Sequence, residues 1–310
     1  MAAGSSVLIG QSPEIRRLRS YLDKVAASDA NVLITGETGT GKECVARYIH
    51  EHGARAAQPL ASINCSALPD SLLESELFGH ERGAFTGAQQ RYTGRLRQAS
   101  GGTLFLDEIG DMSPYAQAKI LRAIEAREIT PLGGSRSEPI DVRIIAATNV
   151  DPESLANGSR LRQDLYYRLN VVRLQLPPLR DRKEDFAALF EHFMRMKLPP
   201  GAAVPALNEQ TLTRLLGYHW PGNVREVRNF VERLLIDLSG AKEIDVLHLP
   251  SEITNAVATP VAEERERVLA ALVATHWNKR KAAQALHWSR MTLYRKLAKY
   301  QIDSKLRGGF

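Results

Sequence analysis

The stretch NVLITGETGTGKE, residues 31–43, decides the fold because a short apolar run passes directly into a glycine-rich loop. The run at 31–35 predicts a buried strand, and the pattern over 43–52 predicts a helix directly after the loop. Glycines at such a turn let backbone N–H groups face phosphate oxygens, which the positive end of the helix dipole also attracts. The sequence therefore predicts a phosphate-binding loop whose nucleotide-binding residues are Gly36, Glu37, Thr38, Gly39, Thr40, Gly41, Lys42 and Glu43.

An acidic pair supplies chemistry that this loop lacks. Glu43 stands where the general phosphate-loop motif carries Ser or Thr, so the usual hydroxyl ligand for Mg²⁺ is missing. Asp107 and Glu108 follow an apolar run at 102–106 and would lie at the carboxyl edge of a parallel sheet, where such sheets bind ligands. We predict that Asp107 holds Mg²⁺ and that Glu108 orients and deprotonates an attacking water. A solvated acidic strand end is the alternative interpretation.

A third apolar run, residues 142–146, predicts another buried strand. Shortly after it comes Asn149, whose polar side chain could sense a terminal phosphate. Strands and helical patterns alternate through the first half of the chain, so the predicted fold class is α/β, with a parallel sheet flanked by helices.

The organisation of the chain changes after residue 183, where the strand signal stops and apolar residues recur at three- and four-residue spacing. This spacing predicts a small helical subdomain. A mixed polar stretch with two prolines then predicts a linker. The predicted domains are an α/β nucleotide-binding subdomain at 1–172, a helical subdomain at 173–240, a linker at 241–262 and an all-α domain at 263–310.

Composition excludes several classes of protein. Apolar residues make up 44% of the chain and charged residues 25%, which is ordinary globular composition and argues against disorder. Cys44 and Cys65 are too few for a disulfide framework or a cysteine metal site. The sequence contains no apolar run long enough to span a membrane and no signal-peptide pattern, so we predict a soluble, cytoplasmic protein without membrane insertion.

The excess of positive charge lies in residues 263–310, which carry eleven Lys and Arg against four Asp and Glu. Two short helical patterns joined by a tight turn fit a helix-turn-helix, in which Ser289 caps the second helix. Such a module would read base edges and phosphates in the major groove of double-stranded DNA, and a solvated basic helix is the alternative. The predicted DNA-binding residues are Lys279, Arg280, Lys281, Ser289, Arg290, Thr292, Arg295, Lys296 and Lys299.

The hexapeptide GAFTGA at residues 83–88 is the most specific motif in the chain. With it, the sequence resembles the AAA+ activators of sigma-54 RNA polymerase, also called bacterial enhancer-binding proteins. The resemblance runs from Ile9 to about Ile302 and includes a helical lid and a Fis-type helix-turn-helix. The loop sequence GETGTGKE, with Glu43, is similar to the version found in this family.

The resemblance implies roles for residues outside the phosphate loop. Ile9 and Gly10 would begin the adenine pocket, and Asn64 is similar to a switch residue that holds the catalytic Glu108 according to nucleotide state. Residues 131–139 match a second surface loop that cooperates with the hexapeptide. Further implied residues are the arginine fingers Arg162 and Arg168, supplied to a neighbouring subunit, and the sensor Arg225 of the lid. A structural ion pair is the alternative for each of these arginines.

The implied function is that of an ATP-hydrolysing transcription activator with ATP and Mg²⁺ as cofactors. It would bind upstream enhancer DNA as dimers, assemble into a hexameric ring, and remodel sigma-54 RNA polymerase holoenzyme from a closed to an open promoter complex. The exposed aromatic of the hexapeptide should be covered in some state, because an exposed Phe costs hydrophobic free energy. The predicted sigma-54 contacts are Gly83, Ala84, Phe85, Thr86, Gly87 and Ala88.

Two questions stay open at the level of sequence. The chain could instead be a DNA-binding regulator that uses nucleotide only to oligomerise, or an AAA+ DNA motor or unfoldase. Ile9 opens the AAA+ domain almost at once, whereas family members commonly carry an N-terminal sensing domain. Its absence indicates either a natural protein controlled by other means, such as a separate regulatory protein, or a fragment of a longer protein.

Overall fold

The structure, a computed structural model, describes residues 8–151, 154–155, 157–158, 160–237, 243–255, 268, 271–272, 275, 278–286 and 288–300. The chain forms two compact units. The first lies within residues 1–205 and 219–242, and the second within 206–218 and 243–310.

A five-stranded parallel sheet forms the centre of the first unit, in the order β2-β3-β6-β1-β7. The strands β1, β3 and β6 at its centre are almost entirely buried, as the three apolar runs predict. A two-stranded antiparallel ribbon, β4 with β5, lies outside this sheet. The strand bounds are β1 Val32–Thr35, β2 Leu60–Asn64, β3 Thr103–Asp107, β4 Glu128–Ile129, β5 Glu138–Pro139, β6 Arg143–Thr148 and β7 Val172–Gln175.

Helices cover both faces of the sheet because successive strand residues point to opposite sides. Phe105 and Ile145 pack in one apolar cluster with residues of α1 and α2, whereas Leu104 and Ile144 pack in another with residues of α3, α5 and α6. Among the described residues, no helix has both the length and the apolar character needed to cross a bilayer. The helix bounds are α1 Pro13–Ala26, α2 Lys42–Glu51, α3 Asp70–Phe78, α4 Arg95–Gln98, α5 Pro114–Ala126 and α6 Gln163–Leu169.

The segment after the sheet differs in part from the prediction. The domain boundary predicted at residue 172 falls on the first residue of β7, which pairs with β1 and continues the sheet to Gln175. Two single-turn helices follow at Leu179–Asp181 and Lys183–Asp185. Three longer helices come next: α7 Phe186–Lys197, α8 Glu209–Gly217 and α9 Asn223–Asp237.

The helices α7 and α9 belong to the first unit and share an aromatic cluster. Phe186 stacks on Trp220 with ring centroids 5.1 Å apart, and Phe230 meets Trp220 at 5.7 Å. These aromatic side chains therefore pack together as part of an apolar core.

The second unit contains structure where a linker was predicted. Within 241–262, residues Glu243–Ile244 form strand β9, which pairs in parallel with β8, Ala206–Leu207. Helix α10, Ser251–Asn255, follows, and Ile253 on it is buried. The sequence pattern did not predict these elements because each contains only one or two apolar residues in a mostly polar stretch. The rest of the predicted linker, 256–262, lies outside the described residues.

In the helix-turn-helix region the described residues include helices α11 Lys279–Ala285 and α12 Arg290–Lys299. Asn278 caps α11 by accepting from the backbone N–H groups of Arg280 and Lys281. Ser289 Oγ accepts from the N–H of Thr292 at 3.1 Å, as the sequence predicts for a cap. Six residues form its apolar core: Val268, Leu272, Ala282, Ala283, Leu293 and Leu297.

Buried His50 on α2 gives the fold a dependence on pH. Its Nδ1 lies 3.0 Å from Thr103 Oγ1, and burial lowers the pKa of the imidazole. Because the unfolded chain binds this proton more readily, stability should fall as pH drops below about 6.5. We expect His50→Gln to reduce the loss in melting temperature between pH 7.5 and 5.5 by about 2 °C, measured by calorimetry. The exposed His52→Gln should not change that loss, and an equal loss in His50→Gln would contradict the assignment.

Candidate nucleotide-binding site

The glycine-rich loop turns tightly between β1 and α2. Gly36, Gly39 and Gly41 all have positive φ, of 155°, 79° and 107°. Lys42 opens α2, is 6% exposed, and donates from Nζ to the carbonyl of Gly36 at 2.9 Å. The lysine is thus folded back over the loop, where it would meet phosphate oxygens together with the helix N-terminus.

The acidic pair lies beside this loop. Asp107 ends β3, and Glu108 adopts a left-handed backbone with φ of 52°, which is uncommon for a non-glycine residue. Glu108 Oε1 is 3.4 Å from Lys42 Nζ, and its Oε2 accepts from the N–H of Asn149 at 3.0 Å. The strained turn after β3 therefore directs the Glu108 carboxylate at the lysine of the phosphate loop.

One cavity of about 450 Å³ collects the predicted groups, at the carboxyl edge of the sheet. A volume of this size suits a small-molecule ligand. Within the loop, Thr38, Gly39, Gly41 and Glu43 line this cavity, whereas Gly36, Glu37 and Thr40 do not. Six of the predicted residues that line the cavity come from five separate segments: Lys42, Asn64, Asp107, Glu108, Asn149 and Arg225.

The surroundings of Asp107 disfavour its negative charge, and a bound cation would stabilise that charge. Burial raises the pKa of its carboxyl, the neighbouring Glu108 raises it further, and Lys42 opposes them. Mg²⁺ commonly uses one or two carboxylates and completes its shell with waters and phosphates. No cluster of three or more His, Cys, Asp or Glu side chains able to hold a metal occurs in the described part of the chain. The Asp107 carboxylate therefore fits a nucleotide-bound Mg²⁺ that completes its shell with waters and phosphates.

The side chains of Asn64 and Glu37 differ from their predicted contacts. Asn64 lies beside Asp107 in the sheet register, but its Oδ1 accepts from the N–H and the Oγ of Ser66, at 2.9 and 2.8 Å. No hydrogen bond joins Asn64 to Glu108 in the part of the chain that the structure describes; the local turn engages its Oδ1 through Ser66. Glu37 pairs with Arg180 instead of lining the cavity.

Ile9 and Gly10 do not reach the cavity surface in the described residues. The segment that follows them is anchored by buried Asp185, which accepts from the N–H and the Oγ of Ser12 at 2.8 and 2.7 Å. Arg19 also donates to the carbonyl of Gly10, at 3.0 Å. Their role in an adenine pocket stays a prediction.

The two predicted arginine fingers lie outside the cavity. Arg162 is exposed and pairs with Asp164, with Nη2 2.7 Å from Oδ2. Arg168 is also exposed and lines a different cavity, of about 220 Å³. Asn31, which precedes β1, lines the same cavity, so this cavity lies at the amino edge of the sheet. The alternative interpretation, an ion pair within the chain, is therefore present for Arg162. The side chains of Arg162 and Arg168 are both at the surface, where they can contact another copy of the chain.

Several residues at the site carried no signal in the sequence. Arg180, Arg182 and Asn223 contact the phosphate loop, yet no motif or spacing marks them. The one available clue was Glu37, because a carboxylate inside a phosphate-binding loop needs a cationic partner.

The two cysteines near the site are poor nucleophiles. Burial raises the pKa of the Cys65 thiol to about 12, with Asp107 as the next contributor. Partial desolvation and the adjacent Glu43 carboxylate also raise the pKa of the Cys44 thiol, which lines the cavity. Since the thiolate is the reactive form, neither residue is prepared for covalent catalysis.

The GAFTGA hexapeptide forms a loop away from this cavity that is mostly exposed, although its last residue, Ala88, is buried. Gly83 donates to the carbonyl of Ala88 at 2.8 Å and closes the loop. Phe85 is 42% exposed and meets the ring of His80 edge to face at 5.0 Å. A Cβ on Gly133 would lie 2.9 Å from that of Ala84, so the second predicted loop packs closely against the first. The aromatic tip is therefore available to a partner.

The basic residues predicted for DNA binding cluster on α11 and α12. Arg290, Arg295 and Lys299 on α12 are exposed, as are Arg280 and Lys281 on α11. Ser289 is exposed as well, whereas Lys279, Thr292 and Lys296 are half-buried. Lys279 lies over the ring of Tyr294, 5.2 Å from its centroid. Most of the predicted side chains are therefore free to contact a nucleic acid.

Three family models match the chain. Residues 8–175 match the sigma-54 interaction domain, which covers more than half of the sequence. Residues 180–267 match the AAA+ ATPase lid domain. Residues 260–300 match the family described as bacterial regulatory protein, Fis family.

Curated relatives and solved structures agree with these matches. The chain is 48% identical over 307 residues to the transcriptional regulatory protein ZraR of Klebsiella oxytoca, a match that covers 94% of this chain and 68% of ZraR. It is 45% identical to the C4-dicarboxylate transport transcriptional regulatory protein DctD of Rhizobium meliloti, covering 96% and 65%. The crystal structure of NtrX from Brucella abortus with ATP matches with a TM-score of 0.76 at 33% identity, covering 95% of this chain and 70% of NtrX.

Proposed function

The chain belongs to the family of sigma-54-dependent transcriptional activators, and on that premise we propose that it hydrolyses ATP to open promoters held by sigma-54 RNA polymerase. The position of Glu108 carries the proposal. Its carboxylate lies between the N–H of Asn149 and the ammonium of Lys42, at the edge of the phosphate loop. A carboxylate in that position can orient a water for attack on a terminal phosphate and accept its proton.

The other residues of the cavity divide the remaining tasks. Lys42 and the N-terminus of α2 would bind the β- and γ-phosphates, and Asn149 would contact the terminal one. Mg²⁺ bound at Asp107 would neutralise charge on the phosphates. Arg225, which lines the same cavity, would report the presence of nucleotide to α9.

We propose that the active form is a hexameric ring. The cavity receives neither Arg162 nor Arg168 from its own chain, and both side chains lie at the surface. An arginine delivered by a neighbouring subunit can raise the rate of phosphoryl transfer by about 10³ to 10⁵. Hydrolysis would then depend on assembly.

The two exposed surfaces provide the partners of the activator. The GAFTGA loop, with Phe85 at its tip, would contact sigma-54, and α12 would contact enhancer DNA. Because it acts on promoter DNA and polymerase, the activator would work in the cytoplasm.

Open-complex formation on a sigma-54 promoter tests the proposal. We expect permanganate-sensitive DNA melting when the protein and ATP are both present, and none with a non-hydrolysable analogue or with the Lys42→Ala variant. Polymerase carrying a housekeeping sigma factor serves as the control and should not respond. ATP hydrolysis without melting would favour a DNA-binding regulator that uses nucleotide only to oligomerise.

A further inference from the structure

Three residues that follow the central sheet hold the phosphate loop on the side away from the cavity. They are Arg180, Arg182 and Asn223, which we call the outer clasp. Arg180 donates from both Nη atoms to the carboxylate of Glu37, at 2.8 and 2.5 Å. This bidentate pair lowers the pKa of the Glu37 carboxyl, and Asn223 Nδ2 donates to the same carboxylate at 3.2 Å.

The outer clasp also binds carbonyl groups of the loop. Asn223 Nδ2 donates to the carbonyl of Thr38 at 3.0 Å, and Arg182 Nη2 donates to that of Thr40 at 3.1 Å. Across a planar trans peptide, a carbonyl and the N–H that follows it point in opposite directions. Holding these two carbonyls outward turns the N–H groups of Gly39 and Gly41 inward, and both glycines line the cavity.

The outer clasp is costly to fold, which indicates that it serves more than stability. Arg182 is 1% exposed, and its Nε has no hydrogen-bond partner among the described residues. Asn223 is fully buried with a left-handed backbone, φ 53°, and its Oδ1 accepts from the N–H of Leu179 at 2.8 Å. A buried, incompletely paired guanidinium and a strained backbone each oppose folding.

We propose that the outer clasp is a positioning device for phosphate binding, which orients the N–H groups of the loop before nucleotide arrives. None of its three side chains lines the cavity, so each acts through the loop and not on the nucleotide. The inference rests on the proposed ATP-dependent function. It assigns roles in ATP affinity to residues up to 186 positions away from the loop in sequence.

A double-mutant cycle on the Arg180–Glu37 pair tests this inference. The variants Arg180→Gln and Glu37→Gln should each weaken binding of a fluorescent ATP analogue about fivefold, a modest figure because both side chains are partly exposed. The double variant should also lose about fivefold, since the second substitution removes a contact that is already gone. Arg180→Lys, which keeps the charge but not the fork, should recover part of the affinity.

Two controls separate positioning from a general loss of stability. Arg195→Gln breaks an exposed pair with Glu191 on α7 and should leave ATP affinity unchanged. Melting temperatures of the nucleotide-free variants identify any that are simply unfolded. Losses that multiply in the double variant, or an unchanged affinity in folded Arg180→Gln, would overturn the proposal. Because the assay reads binding alone, wild-type protein that binds ATP without opening promoters would overturn the proposed function and leave this test valid.

Discussion

Replacing Glu108 by Gln should lower the rate of ATP hydrolysis by about 10³-fold while ATP still binds. The substitution preserves the size of the side chain and a hydrogen-bond acceptor for the N–H of Asn149. It removes the negative charge that faces Lys42 and the ability to take a proton from water. Release of inorganic phosphate at saturating ATP, together with binding of a fluorescent ATP analogue, measures the two effects separately.

Asp111→Asn is the matched control for Glu108→Gln. Asp111 lines the same cavity and carries the same charge, but no role in hydrolysis is assigned to it. We expect this variant to hydrolyse ATP within about threefold of the wild-type rate, as befits a residue outside proton transfer. Comparable losses in both variants would mean that negative charge in the cavity matters, and not a specific base at Glu108.

The second large effect concerns the exposed loop and leaves hydrolysis intact. Phe85→Ala should reduce open-complex formation by about 30-fold or more, with ATPase activity close to wild type. An aromatic side chain that enters a partner pocket typically contributes about 2 kcal/mol or more to binding. Phe85 is the aromatic tip of the GAFTGA loop and lies away from the nucleotide cavity. Promoter melting and phosphate release, assayed on the same preparation, check both parts of this expectation.

Tyr115→Ala provides the comparison for Phe85→Ala. Tyr115 on α5 is 62% exposed, so its removal deletes an even more accessible aromatic from the same unit. It should leave promoter opening unchanged. If Phe85→Ala lost ATPase activity in parallel with promoter opening, the loop would be acting on the nucleotide site and not on sigma-54.

The groups of the candidate site that the sequence predicts lie in short contiguous stretches. The phosphate loop, the acidic pair after β3 and the GAFTGA loop each contain their own chemistry and their own local backbone requirement. Glycine in the left-handed region and an apolar strand before a polar residue can be recognised from neighbours alone. The parallel α/β fold follows from the same kind of local pattern repeated along the chain.

The side-chain conformations at the site could not be predicted from the sequence. The resemblance implies that Asn64 holds Glu108, but in this structure its Oδ1 accepts from Ser66 in the turn after β2. The sequence pattern missed β9 within the predicted linker. This strand forms by pairing with β8, which ends at Leu207, 36 residues before Glu243. Such pairings follow from register in the folded chain and leave no periodicity in either segment.

The sequence by itself therefore determined the fold class, the phosphate loop, the acidic pair and the family of this protein. Only the tertiary structure showed that Glu37 faces Arg180, that Asn223 and Arg182 hold the loop carbonyls, and that Glu108 contacts Lys42. The physical reason is distance along the chain. Local conformation and solvation depend on adjacent residues, whereas hydrogen bonds between residues more than 140 positions apart exist only after the sheet and its following segments have packed.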